Sequence, residues 1–183
     1  MNSYVNKIQK SSDLQNKKKV RDFIMDHFNC KTIVGLAGPS FEEYIEWCKS
    51  KGFKNITVYE KHNYVLMTQI TQIKDSVNLI HGDINSVTHE KNVFYDLDYC
   101  STIIPMKDKI SKFEENYCMT FSRRLLGSQN TINQFFKSIN QKILHKQEEV
   151  EPIKHTVFYT EKGTYIYAPY WDSSAMCCIA KVA

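Results

Sequence analysis

The 183-residue chain has little glycine and little proline, six and four residues respectively, and it has no internal repeat, low-complexity tract or linker. Nothing therefore divides it, and its length suits one domain. No apolar run is long enough to span a bilayer, and no leader-like segment opens the chain, so neither membrane association nor secretion is expected. Cysteine is present at six positions (Cys30, Cys48, Cys100, Cys118, Cys177 and Cys178), but no pair has the C-x-x-C spacing and no histidine falls beside them at ligand spacing. Zinc is thereby disfavoured, and the expectation is free thiols in a reducing, cytoplasmic compartment.

Acidic residues are scarce at the start. Up to Arg21 there are six bases (Lys7, Lys10, Lys17, Lys18, Lys19 and Arg21) against Asp13 alone, a balance of +5 that leaves −1 for the remainder of a +4 chain. A basic arm of this kind is usually a solvated helix face. The alternative is contact with the phosphates of a nucleic acid, which needs charge but no motif. The wealth of lysine, asparagine, isoleucine and tyrosine hints at an AT-rich genome and carries no functional information.

Along the chain, strand and helix patterns alternate. Val20, Phe23, Ile24 and Phe28 recur at helical spacing in residues 14–28. Thr32-Ile33-Val34-Gly35-Leu36-Ala37-Gly38 reads as a strand closing on a glycine turn, with a helix over residues 41–51. Further strands are predicted at 56–60, 77–81, 93–96 and 117–122, with helices at 62–74, 110–115 and 130–147. Such alternation argues for a mostly parallel sheet covered on both faces. The end differs: residues 155–160 and 164–168 flank Glu161-Lys162-Gly163 as a hairpin, and 176–182 extends its returning strand.

In an open parallel sheet, ligands bind beyond the carboxyl ends of the strands. Four features stand there. The Gly35 to Gly38 turn allows close backbone approach, although it lacks the full G-x-G-x-x-G and would equally serve as a plain strand-to-helix turn. Glu60 ends the second strand 25 residues after Gly35, where an acid accepts both hydrogen bonds of a ribose diol; otherwise it is a surface acid paired with Lys61 or His62. Asp83 follows the third strand, placed for an adenine amino group or for a helix cap or Asx turn. Asp96-Leu97-Asp98-Tyr99 follows the fourth.

This order of elements and these strand-end residues resemble the class I S-adenosylmethionine (SAM) dependent methyltransferases, over nearly the whole of residues 31–182. The resemblance implies a Rossmann-like, doubly wound α/β fold of about seven strands with a C-terminal antiparallel hairpin. Residues 1–30 would form a basic arm and helix packed on a methyltransferase-like domain over 31–183. It implies that Gly35, Ala37 and Gly38 hold the amino-acid part of SAM, Glu60 with Lys61 the ribose, and Asp83 with Ile84 the adenine. Asp96, Asp98 and Tyr99 then take the place of the fourth motif, where Asp96 also adjoins the cofactor and the acids orient or deprotonate the methyl acceptor. Enzymes of this type that methylate amino groups often carry two prolines there, and both are missing. The chain is also too short to hold a dinucleotide domain plus a catalytic domain, which favours SAM over NAD.

The expected activity is methyl transfer from SAM, leaving S-adenosylhomocysteine, to DNA, RNA or an associated acceptor. The cations in question are Lys17, Lys18, Lys19, Arg21, Arg123 and Arg124. A small stand-alone enzyme of this composition suits a virus, which would place it in the host cytoplasm. A methyltransferase-like scaffold or accessory protein, bound to a partner chain or to a second copy, is the competing expectation. Cys100 is a nucleophile only if it is not core, and Trp171 and Tyr170 stack on a base only if they do not pack over the hairpin.

Overall fold

β-Branched and aromatic residues concentrate in short runs, and each run is a strand. The computed structural model describes residues 11–38, 40–72, 77–99, 101–124, 126–170 and 176–182. Cys100 and Trp171 lie outside them. In chain order the elements are α1 (Ser11–Met25), β1 (Thr32–Gly35), α2 (Phe41–Ser50), β2 (Asn55–Glu60), α3 (Asn63–Gln72), β3 (Val77–His81), β4 (Val93–Asp98), α4 (Lys107–Ile110), β5 (Tyr117–Ser122), α5 (Gly127–Ser138), β6 (Ile143–Glu149), β7 (His155–Thr160), β8 (Gly163–Pro169) and β9 (Met176–Lys181).

The nine strands make one sheet in the order β3-β2-β1-β4-β5-β9-β8-β7-β6. β3, β2, β1, β4 and β5 run parallel, and every pairing from β5 through β9 to β6 is antiparallel. The order turns back between β1 and β4, so the carboxyl ends of those strands open the crevice where α/β sheets bind ligands.

Helices cover both faces. On one side α2 buries Phe41, Tyr44, Ile45 and Cys48, an i, i+3, i+4, i+7 stripe, alongside Val20, Ile24 and Met25 of α1. On the other side α5 buries Ile132, Phe135 and Phe136 against Tyr117, Met119 and Tyr165. β4 alternates between the two: Val93, Tyr95 and Leu97 join the α5 side, and Phe94 joins the α1–α2 side. That parity sends Asp96 toward α1 and α2.

Four expectations need correction. The helix predicted over 110–115 lies earlier, as the short α4, which ends at Ile110. The helix predicted over 130–147 ends at Ser138, because Asn140 adopts φ 51° and closes it: the Asn140 and Gln141 amides donate to the carbonyls of Lys137 and Phe136. The remainder, Ile143–Glu149, is strand β6 at the edge of the sheet. Residues 176–181 do not extend β8; they form β9, which returns between β5 and β8 and pairs antiparallel with both. Finally, β4 runs on through Asp98, so Asp96 and Asp98 are strand residues, not a loop beyond it. With β6 and β9 the sheet has nine strands where about seven were expected.

Among the described residues no helix is long and apolar enough to cross a membrane, and no group of three metal-binding side chains is assembled. Cys30, Cys48, Cys118, Cys177 and Cys178 are free thiols.

Candidate functional site

The turn after β1 is held by side chains of two helices, α2 and α3. Gly35 pairs with Asp96 across the β1–β4 ladder, and the Leu36 amide donates to the Asp96 carbonyl at 3.2 Å. Tyr44 of α2 lies against Gly35 so closely that a Cβ there would sit 2.1 Å from the tyrosine hydroxyl. Gly35 thus meets a demand of the packing of α2. Gly38 is different: its φ of 62° favours glycine, and the space a Cβ would take is open. Ala37 between them is half-buried.

The Gly38 carbonyl accepts a 2.8 Å hydrogen bond from Nε2 of Gln69, a fully buried α3 residue whose Oε1 has no partner among the described residues. One turn on, Gln72 Oε1 accepts from the Glu42 amide in the first turn of α2. Two glutamines of α3 therefore brace the turn and the start of α2. Neither carries a motif; only the periodicity of α3, which puts them on one face, connects them to the site.

Glu60 is the last residue of β2 and only 8% exposed. One carboxylate oxygen accepts from the His62 amide at 2.7 Å, and among the described residues Glu60 makes no ion pair, with Lys61 or any other base. Lys61 itself is exposed. Asp83 caps the short turn Ile84–Ser86 by accepting from the Asn85 amide at 3.0 Å and from the Asn85 side chain, with Lys109 3.7 Å from its other oxygen. Burial pushes this carboxyl up, but the Asn85 donors and Lys109 outweigh it and hold it below the ordinary range. Ile84 beside it is buried. The Tyr99 hydroxyl donates to Asn85 Oδ1 at 3.0 Å, tying the loop after β4 to the cap after β3.

Asp96 and Asp98 meet the arm. Arg21 Nη2 stands 3.1 Å from Asp96 Oδ2 and 3.6 Å from Asp98 Oδ2, and Lys17 is paired with Asp98. The guanidinium also lies 5.6 Å from the ring centres of both Tyr44 and Trp47, a cation–π arrangement. Asp96 is 2% exposed, and burial raises its carboxyl pKa more than Arg21 lowers it, with Asp98 adding repulsion. The Arg21 contact is ionic but off the hydrogen-bond line, so among the described residues Asp96 Oδ2 and Arg21 Nε are both without hydrogen bonds, as is the Tyr44 hydroxyl. Beside them, bounded by Arg21, Trp47, Phe94 and Asp96, is a cavity of about 10 Å³, the room of a single water molecule.

The six cations separate into two sets. Lys18, Lys19 and Arg124 are exposed. Lys17 and Arg21 are drawn onto the acids, and Arg123 donates to Ser128 Oγ at 2.5 Å and to the Tyr167 hydroxyl at 3.4 Å. Tyr170 is buried, its hydroxyl 2.8 Å from Thr120 Oγ1, so its ring packs in the core instead of presenting a face to a base.

No protein-family model matches the chain, and no curated protein is similar to it in sequence. Solved structures are similar in fold. A SAM-dependent methyltransferase from Mesorhizobium loti superposes with a TM-score of 0.55 at 10% identity, over 93% of this chain and 99% of that one. The N-methyltransferase NodS from Bradyrhizobium japonicum gives 0.52 at 7% identity, over 95% and 99%. M. jannaschii TYW2 in complex with AdoMet gives 0.55 at 12% identity, over 97% and 78%. The chain shares the fold of these methyltransferases. Within this fold the Gly38 turn, Glu60, Asp83 and Asp96 all stand at the carboxyl side of the parallel strands. What sequence reasoning missed are the residues that hold them: Tyr44, Gln69, Gln72 and Asn85.

Proposed function

We propose that the chain is a SAM-dependent methyltransferase, with the ribose held by Glu60, the amino-acid part against the Gly38 turn and the adenine beside Asp83 and Ile84. The observation that carries this reading is Glu60: a buried acid at a strand end that commits one oxygen to a local amide and neither to a base. An acid so placed costs stability unless something else hydrogen-bonds to it, and a ribose diol supplies two donors. When bound, SAM supplies an electrophilic methyl group, so the chain need only hold and orient the acceptor. Asp98 and Asp96 have the position for that, as part of an ion cluster with Lys17 and Arg21 rather than as free bases.

The acceptor is a nucleic acid or a partner bound to one. Lys18 and Lys19 on α1 and Arg124 after β5 are exposed cations suited to phosphate, while Lys17 and Arg21 serve the acids. Log affinity should then fall with log salt by about 0.9 per duplex phosphate contact, and less steeply once Lys18 and Lys19 are neutralised. Salt-independent binding would return the arm to a solvated helix face.

A second reading, a SAM-binding accessory protein, is favoured by the same ion cluster, because both strand acids are already neutralised by α1. Calorimetry with SAM separates the outcomes. Glu60→Gln, which keeps an acceptor for the His62 amide, should weaken SAM binding roughly tenfold or more with little change in melting temperature. Unchanged affinity would remove Glu60 from the site, and a wild type that binds no SAM would remove the cofactor. If SAM binds and Asp96→Asn and Asp98→Asn leave methyl transfer to nucleic acid intact, the acids have no part in orienting the acceptor.

A further inference from the structure

β6 is an edge strand: β7 pairs one side of it, and no described strand pairs the other. Its outward amides and carbonyls are a template for a further strand. Two large apolar side chains flank this edge in full view of solvent, Leu144 at 58% and Val150 at 72% exposure. Between them runs His145-Lys146-Gln147-Glu148-Glu149.

Two copies of one strand can pair antiparallel about a two-fold axis only with the axis through a residue, because facing residues must have the same hydrogen-bonding parity. An axis through Lys146 sets two lysines opposite each other, and one through Glu148 sets two glutamates opposite. Like charges in those positions destabilise a pair. An axis through Gln147 places Lys146 opposite the partner's Glu148 and His145 opposite the partner's Glu149, twice over by symmetry. It also brings Leu144 beside the partner's Val150 at both ends. Within one chain the same partners already attract: Lys146 Nζ is 3.3 Å from Glu148 Oε1.

We propose that β6 pairs antiparallel with β6 of a second copy of this chain, centred on Gln147, joining the two sheets into one. The ladder is regular from His145 to Glu149, since the β6–β7 register shifts between Ile143 and His145. The charges that would keep a foreign strand off this edge are self-complementary in this one register. So narrow a contact gives reversible, concentration-dependent association rather than an obligate dimer.

Sedimentation velocity on the full chain tests this directly. The wild type should shift from monomer to dimer as concentration rises. Lys146→Glu and Glu148→Lys should each weaken the dimer by roughly tenfold or more, because each sets like charges opposite at two places. The double reversal restores the opposite charges and should restore dimerisation, while circular dichroism reports the fold of every variant. A wild type that stays monomeric up to about 1 mM overturns the proposal. So does a dimer indifferent to both single reversals, which puts the interface elsewhere, and so does a double variant that fails to recover what the single ones lose. SAM plays no part in these measurements, so their outcome is separate from that of the cofactor assignment.

Discussion

The hydroxyl of Tyr44 occupies the place that a side chain on Gly35 would need, with its oxygen 2.1 Å and its Cζ 3.1 Å from where a Cβ would stand. Strand β1 and helix α2 are fitted to each other at this point, and the hydroxyl gains no hydrogen bond from the described residues in return. Gly35→Ala should therefore destabilise by about 1–3 kcal/mol through overpacking. Tyr44→Phe alone should be close to neutral, since it deletes a buried oxygen without a partner. In the double variant part of the loss should return, but not all, because the ring carbon remains tight. Urea unfolding of the four proteins measures the coupling, and strictly additive effects would contradict the contact.

Arg21 and Asp96 form the second testable pair. Replacing Arg21 by methionine leaves a 2%-exposed carboxylate with no compensating guanidinium, a change that costs about 3–5 kcal/mol in buried pairs. Adding Asp96→Asn to Arg21→Met should recover a good part, as the remaining buried charge is removed. The comparison is again by denaturant midpoint at constant m-value. Equal stability of wild type and Arg21→Met would mean that α1 does not anchor on β4 through this contact.

A pH effect is expected from His89. Its ring stacks on Phe113 at 4.1 Å and lies 5.1 Å from Tyr95, and burial holds its pKa below the ordinary 6.5 despite opposing contributions from the Lys112 carbonyl and Glu114. The unfolded chain then takes up this proton more readily than the folded one. Stability should fall as pH drops below 6.5 toward the depressed folded value. His89→Phe keeps the stacking and removes the titration, so its stability should decline less steeply than the wild type's between about pH 7.5 and 5. Parallel curves for the two would show that the ring does not discriminate between its protonation states.

Much of the parallel half was legible because its signal is local. Thr32 to Val34, Ile56 to Val58 and Val93 to Tyr95 are dense in β-branched and aromatic side chains, and the acids Glu60 and Asp96 stand at the ends toward which these runs point. Strand β6 was misread because lysine, glutamine and glutamate form helices well, and Ile143 and Leu144 continue the spacing of Phe135 and Phe136. The one cue against a long helix was Asn140, a residue that tolerates the left-handed turn ending α5. The pairing of Lys17 and Arg21 with Asp98 and Asp96 has no local signal at all, since it spans some 75 to 81 residues of chain and depends on how α1 rotates against the sheet. Gln69 escaped for the same reason: its hydrogen bond to Gly38 crosses 31 residues.

The position of β9 has a consequence for the order of assembly. The five parallel strands and the β6-to-β8 meander are each contiguous in sequence, but what joins them is β9, the strand that follows all the others and wedges between β5 and β8. It is a keystone. Until it arrives, β5 and β8 each present a bare, largely apolar edge, the kind of surface that invites wrong partners during folding. The ladder it closes with β5 links residues more than 50 apart, the sort of distant pairing that slows folding. A substitution that weakens β9 alone should thus open the sheet between β5 and β8, leaving its two parts bridged only by the packing of α1 and α5.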